Sequence, residues 1–255
     1  MRRSALERWA PLLLLVGVIA LWQAICSVFS VSEFIFPSPW RIATQLWEHR
    51  FTVLGHAWRT FWVTMLGFAL SIVVGVLLGF LVGSSRLAYS ALYPLMVAFN
   101  AVPKAAVVPI LVVWFGIGLG PGILTAFLIS FFPITVNIAT GLATLEPELE
   151  DVLRVLGAKR WDVLIKVGLP RSMPYFYASL KVAITLAFVG TVLAEMTAGD
   201  SGIGYLMQSA GSQQRMPLAF AGLVTIGAMA MAMYELFSVL EKRTTGWAHR
   251  GSQAV

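Results

Sequence analysis

Three charged side chains stand out because they lie inside long apolar segments. Lys104, Lys181 and Glu195 each interrupt a run of residues that is close to bilayer length. A lysine deep in such a run costs on the order of 3 kcal/mol on insertion scales, so it should face the protein interior or water rather than lipid. Lys104 and Glu195 are therefore candidates for a functional role, whereas Lys181 lies close enough to a span end to reach the interface.

The sequence offers little for catalysis or metal binding. His49, His56 and His249 are scattered over loops and ends, and the single cysteine, Cys26, excludes an intramolecular disulfide and a cysteine-based metal site. The glycines at 116, 118, 120 and 122 are not followed by the Lys-Ser or Lys-Thr pair of a phosphate-binding loop. We therefore expect no enzyme, no catalytic residue, no metal site and no cofactor bound by this chain.

The composition predicts an all-α integral membrane protein. Of the 255 residues, 58% are hydrophobic and only 12% are charged, against about 25% charged in soluble domains. We predict a single domain over residues 1–255. The net charge of +6 is typical of membrane chains whose loops are held at the cytoplasmic face, so no nucleic-acid partner is expected.

Six segments are long and apolar enough to be membrane spans. They cover about 10–30, 58–83, 91–115, 121–143, 175–197 and 217–241, each near the roughly 20 residues that a helix needs to cross the hydrocarbon. The basic amino terminus also resembles the start of a signal peptide. Its apolar run continues to Phe29 without a small-x-small cleavage site, which favours an uncleaved first span.

The basic residues orient these spans, because lysine and arginine concentrate on the cytoplasmic side. With a cytoplasmic amino terminus, the inside segments hold 12 of the 18 basic residues: Arg2, Arg3, Arg8, Arg86, Arg154, Lys159, Arg160, Lys166, Arg171, Lys242, Arg243 and Arg250. The outside loops hold only Arg41, Arg50 and Arg215. Both termini and the segment 144–173 are therefore predicted to be cytoplasmic.

A polar, basic island, residues 151–170, separates two of these spans. It contains two short apolar stripes with helical spacing, one before and one after Gly157. Glycine tolerates the positive φ that ends one helix and turns the chain into the next, so we predict a hinge at this residue. An island of this kind presents a surface to a soluble partner, or else lies on lipid headgroups through its basic side chains.

The island resembles the cytoplasmic loop of binding-protein-dependent ABC importer permeases, with the pattern EAA, three residues, Gly, nine residues, Ile, one residue, Leu-Pro. The EAA positions hold Asp151, Val152 and Leu153, so neither alanine is present, and Gly157 is the glycine. The resemblance implies that residues 144–173 form a coupling region seated in a groove of an ATPase. The residues implied in that coupling are Asp151, Val152, Leu153, Gly157, Ala158, Trp161, Val167, Leu169 and Pro170.

Further motifs resemble the nitrate/sulfonate/taurine-type permeases, a group that also includes permeases for thiamine-precursor pyrimidines. They are the segments 102–109, 114–118, 131–133, 194–196 and 201–206. The resemblance implies a type I importer fold in the bacterial inner membrane that passes a small polar or anionic solute. The implied partners are a second permease copy, two ATPase subunits that hold ATP and Mg, and an external solute-binding protein, with membrane lipid around them.

An ion-coupled secondary transporter is the alternative function. Such a carrier needs its own coupling ion and usually an internal repeat. The sequence shows no convincing repeat, and Glu195 and Glu235 are predicted to lie near the ends of their spans.

The third span contains the main candidates for a translocation pathway. It is broken at residues 101–104 and again at Pro109, and proline frees carbonyls that neighbours or water must satisfy. Lys104 is the leading pathway candidate, together with Asn100 and Pro103. Snorkelling of Lys104 to the outer headgroups, and prolines that only shape packing, remain the alternatives.

A second group of candidates lies at the outer end of the fifth span. Glu195 is expected there, either paired with a basic group or in water, and it joins Gly202 and Gly204 as a pathway candidate. The segment 200–206 is too apolar for a free loop and too short to span, which favours a segment that dips back into the outer mouth. Lys181 is predicted to snorkel to the cytoplasmic interface.

Two further patterns predict helix structure. Ser38 can cap and Pro39 can start an outer interfacial helix, with an irregular loop as the alternative. The second span carries Gly67, Ser71, Gly75, Gly79 and Gly83 at intervals of four, which predicts a seam for close helix packing.

Overall fold

A computed structural model of the chain describes residues 5–143, 155, 157 and 164–245. The helices in these residues are α1 (Ala5–Val28), α2 (Pro39–Glu48), α3 (Arg50–Gly83), α4 (Arg86–Ala101), α5 (Lys104–Phe115), α6 (Leu119–Ala143), α7 (Leu169–Ala198), α8 (Ile203–Ser212) and α9 (Met216–Thr244). A π-helix, Leu164–Gly168, leads directly into α7.

The short helix α2 forms as its sequence predicts. The side chain of Ser38 accepts a hydrogen bond from the Arg41 amide, and Pro39 occupies the first helical turn. Pro fits there because its missing N–H would have no partner in the first turn anyway. The predicted helix after the first span is confirmed.

The glycine seam of α3 packs against α6, and the two helices run parallel. A Cβ atom on Gly67 would lie 2.6 Å from that of Ala126, and one on Gly83 would lie 3.0 Å from that of Leu142. Both contact positions therefore advance together along the two helices. The predicted packing seam is confirmed, and Ser71 adds a 2.6 Å hydroxyl contact to Ser130 of α6.

Helix α7 completes the centre of the fold and runs antiparallel to α6. Gly190 near its carboxyl end packs on Ala126, whereas Ser172 near its amino end packs on Gly141. The buried core between α3, α6 and α7 includes Phe68 and Phe188. We call the end at Gly190 the mouth end and the end at Ser172 the loop end.

Because α3 and α6 are parallel, the chain between them must return from the loop end to the mouth end. Helices α4 and α5 make this return as a pair bent by 82°. Among the residues that the structure describes, five single helices are long and apolar enough to span a membrane, and the bent pair, taken as one span, makes six. The predicted break at residues 101–104 is confirmed. The expected second break is wrong, since Pro109 lies inside α5, where it removes only one helical hydrogen bond.

The predicted surface position of Lys181 is also wrong. Its ammonium group lies 2.6 Å from Oε2 of Glu241 on α9, and the two side chains are only 18% and 12% exposed. The ring of Tyr234 lies 5.8 Å from the same nitrogen. An ion pair on a neighbouring helix satisfies this lysine, so its side chain has no need to reach the headgroups.

Candidate functional site: hinge, mouth and loop

The structure brings the predicted pathway residues into two groups, one at the bend between α4 and α5 and one at the mouth end. Asn100, Pro103 and Lys104 form the first group. Glu195, Gly202 and Gly204 form the second.

At the bend, the side chain of Lys104 caps the carboxyl end of α4. Its ammonium group donates to the backbone carbonyl and the Oδ1 atom of Asn100, the latter at 3.0 Å, and it lies 3.4 Å from the carbonyl of Phe99. The last carbonyls of a helix lack backbone partners and carry partial negative charge, so a cation stabilises them. Lys104 therefore joins the first turn of α5 to the last turn of α4.

The bend is also packed onto the core. The ring of Phe99 lies 5.9 Å from that of Phe131 on α6, and the ammonium group of Lys104 lies 5.9 Å from the Phe99 ring. The lysine is half-buried rather than extended away from the protein. This contact with α4 is a structural role that the sequence interpretation did not include.

At the mouth end, three consecutive backbone amides at the start of α8, beginning with the residue just before the helix, donate to side chains from other helices. The Gly202 amide donates to Nδ1 of His56 at 3.0 Å. The next amide, of Ile203, donates to the Thr60 hydroxyl at 2.8 Å, and that of Gly204 donates to Oε2 of Glu195 at 2.9 Å. We call this arrangement the α8 cap.

The α8 cap replaces the side chain that the helix itself lacks. Gly202 is the residue before the first turn and offers no capping oxygen, so α3 and α7 supply the acceptors for amides that have no partner in the helix. Because a backbone N–H only donates, the Nδ1 atom of His56 is an acceptor, and its ring proton sits on Nε2.

Glu195 is the centre of the α8 cap. Its side chain is only 7% exposed, and the Thr60 hydroxyl lies 2.9 Å from both of its carboxylate oxygens. A carboxylate at a helix amino terminus is stabilised by the N–H groups and the dipole. The expectation that Glu195 meets water is therefore wrong, because the helix terminus binds its carboxylate. The other expectation, a basic partner, holds in part, since the positive charge of Arg59 also acts on this carboxylate.

Both predicted glycines are required by this packing. Gly202 has φ +99°, and a Cβ atom there would overlap the Glu195 carboxylate. A Cβ atom on Gly204 would approach the carbonyl of Val192 and the Cβ of Glu195. The segment 200–206, which was expected to dip back into the outer mouth, thus leads into a ten-residue helix. Ile203, Leu206 and Ala210 of this helix are buried.

The sequence interpretation missed His56 and Thr60. It assigned His56 to scattered loop positions, but the residue lies in α3 and binds the α8 cap. A signal was available: His56, Thr60 and Thr64 follow one another at intervals of four in an apolar helix, which places them on one face. Thr64 bonds the Thr191 hydroxyl of α7 at 2.9 Å.

Of the predicted coupling residues, the structure describes only part. Gly157 has φ +85° with no atom within 4 Å of a Cβ position, a conformation in which glycine is favoured. Val167 is half-buried in the π-helix, and Leu169 and Pro170 begin α7. Asp151, Val152, Leu153, Ala158 and Trp161 lie outside the described residues.

Comparisons with known proteins agree with this architecture. Residues 71–246 match the family described as binding-protein-dependent transport system inner membrane component. A probable ABC transporter permease protein of Haemophilus influenzae is 31% identical over 224 residues, which cover 88% of this chain and 91% of that protein. The formylaminopyrimidine transport permease protein ThiX of Halalkalibacterium halodurans is 29% identical, with 97% and 98% covered.

A solved structure shows the same fold. A chain of the MetNI methionine ABC transporter, in an inward facing conformation, superimposes with a TM-score of 0.66 at 17% identity, covering 77% of this chain and 98% of that chain. The predicted all-α permease fold of the type I importers is confirmed. The chain is a multi-pass inner membrane protein and belongs to the family of binding-protein-dependent transport system inner membrane components.

Proposed function

We propose that this chain is the permease subunit of an ATP-driven importer that passes a small polar or anionic solute into the cytoplasm. A solute-binding protein delivers the solute outside, and two ATPase subunits, which bind ATP and Mg, act on the cytoplasmic side. Two copies of the chain enclose the pathway. Family membership supports the importer role, and the formylaminopyrimidine transport relative supports a small polar solute of the thiamine-precursor type; a nitrate-like or sulfonate-like solute belongs to the same proposal.

The distribution of basic residues determines the proposed orientation of the chain in the membrane. Both termini and the 144–173 loop face the cytoplasm, and α8 faces outside. The six crossings of the fold support termini on one side of the membrane.

The observation that carries the proposal is the continuity of α7. This helix spans 30 residues, Leu169–Ala198, with Pro174 inside its amino-terminal part, and is about 45 Å long at 1.5 Å per residue. It starts where the proposed coupling region ends, and Glu195 near its other end holds the α8 cap. A displacement that an ATPase imposes on the loop therefore reaches the mouth end through one helix, whose hydrogen-bond ladder lacks only the Pro174 donor.

The test uses two glycines with positive φ, one in the proposed coupling region and one outside it. Gly157 and Gly116 have φ values of +85° and +75°, and both have open space at the Cβ position. Alanine at either site costs about 1–3 kcal/mol of backbone strain, and Gly116, with ψ 179°, lies in a region that is essentially restricted to glycine, so it is the more demanding control. Gly157→Ala, and more strongly Gly157→Val, should weaken ATPase copurification or uncouple ATP hydrolysis from the loaded binding protein. Gly116→Ala should leave ATPase binding intact.

Normal uptake by Gly157→Val would contradict the coupling role. Uptake by the chain alone in vesicles, driven by an ion gradient without any ATPase subunit, would favour the secondary-transporter alternative instead.

A further inference from the structure

An apolar groove lies between α3 and α9 at the mouth end, apart from the α8 cap and the hinge. Its volume is about 710 Å³, within the roughly 300–1,000 Å³ of small-molecule sites. The lining side chains are Phe51, Leu54, Trp58 and Phe61, with Gly55 at the floor and Met229 from α9. We call it the α3–α9 groove.

The length of the groove matches one leaflet of a bilayer. From Phe51 to Phe61 is ten residues of helix, or about 15 Å, which is half of the roughly 30 Å hydrocarbon thickness. A transmembrane helix of a second copy would need a seam along the whole span. A groove that stops at the membrane centre suits an acyl chain.

Exposed tryptophan side chains indicate how deep the groove lies in the membrane. Trp40 and Trp47 on α2 are 70% and 71% exposed, and the guanidinium group of Arg50 contacts both the Trp47 and the Phe51 ring. Exposed tryptophans concentrate at the headgroup level of a membrane. The upper end of the groove, at Phe51, therefore lies next to the headgroups.

The side chain of Arg50 lies at that upper end of the groove. The guanidinium carbon of Arg50 lies 4.6 Å from the ring centre of Phe51 and 4.8 Å from that of Trp47, and one N–H donates to the Trp47 carbonyl at 2.9 Å. Arg41 and Arg59 pair with Glu33 and Asp200. No carboxylate in the part of the chain that the structure describes forms an ion pair with Arg50.

We propose that the α3–α9 groove binds a phospholipid with an anionic headgroup. One acyl chain fills the groove, and the phosphate faces the remaining donors of Arg50, whose planar fork matches phosphate oxygens. The aromatic rings hold the guanidinium in place for this contact. This proposal does not depend on the transported solute or on the ATPase.

Gly55 provides a variant that fills the groove without disturbing the fold. No atom lies within 4 Å of its Cβ position, and the same holds for Gly17 in α1. Gly55→Phe therefore occupies the groove, and Gly17→Phe is a matched control on another exposed apolar helix surface. Gel filtration and circular dichroism of each variant verify folding.

The assay is native mass spectrometry of the full-length chain with equal amounts of palmitoyl-oleoyl phosphatidylglycerol and phosphatidylcholine. The original chain and Gly17→Phe should retain phosphatidylglycerol about fivefold better, the ratio for about 1 kcal/mol per basic residue at an anionic surface. Arg50→Gln should lose the preference, Arg50→Lys should keep part of it, and Gly55→Phe should retain neither lipid.

Three results would overturn the proposal. The first is undiminished lipid retention by Gly55→Phe, and the second is equal retention of both lipids by the original chain. The third is loss of a dimer in Gly55→Phe, which would assign the groove to a second copy of the chain.

Discussion

Removing the Glu195 carboxylate should loosen the start of α8. In Glu195→Ala the Gly204 amide loses its acceptor, in surroundings where Gly204 itself is buried. A buried donor without a partner costs about 1–3 kcal/mol. If that cost opens α8 locally, the exchange protection of its first amides falls by roughly 5- to 150-fold.

The measurement is hydrogen exchange with mass spectrometry on peptides that cover Ile203–Ser212, for protein in nanodiscs. Glu195→Gln should show less than about a fivefold change, because its amide oxygen can still accept from Gly204. The two variants thus separate the loss of an acceptor from the loss of a charge.

Thr64→Val is the matched control. It removes the hydroxyl contact to Thr191 between the same two helices, α3 and α7, but outside the α8 cap. Exchange in α8 should stay at the level of the original chain. Unchanged α8 protection in Glu195→Ala, or an equal loss in Thr64→Val, would refute the α8 cap as the element that holds this helix.

Three other outcomes are expected. Gly79→Ala should destabilise the protein by about 1–3 kcal/mol, because its Cβ atom would lie 2.7 Å from that of Ile138, whereas Gly227→Ala, with open space, should not lower the melting temperature. Lys104→Ala should lower uptake with assembly intact and Lys104→Arg should retain part of it, as a transport assay with copurification would show; full uptake without the charge would remove its pathway role. A cysteine at Ser85, in a Cys26→Ser background, should react with an impermeant reagent only from the cytoplasmic side, and labelling from outside would reverse the proposed topology.

The α3 seam could be predicted from the sequence because small residues at intervals of four lie on one face of a helix. The sequence did not predict the partner. The α6 positions that meet the seam, such as Ala126, Ile134 and Ile138, are apolar residues like many others in the chain. Only the three-dimensional register distinguishes them.

The sequence interpretation failed where polar partners are far apart in the chain. Lys181 and Glu241 are 60 residues apart, and Thr60 and Glu195 are 135 apart. Lys181 was expected at a headgroup, and Glu195 was expected beside a basic group or in water, because headgroups and water are the least costly places for an unpaired charge in a membrane protein. A polar stripe on a facing helix changes that balance, so matching such stripes between spans would have indicated both pairs.

The close packing contacts of the glycines indicate which helices are expected to move as one unit. Gly79 on Ile138 and Gly190 on Ala126 bring α3, α6 and α7 into backbone-level contact, and such surfaces interlock rather than slide. If transport is driven from the loop end, as proposed, these three helices are expected to tilt together. The α4–α5 bend lies outside this three-helix contact. The contacts of Lys104 with α4 join the two helices of the bend. In the proposed transport cycle, the central helices carry the displacement, and the bend determines how far the pathway opens.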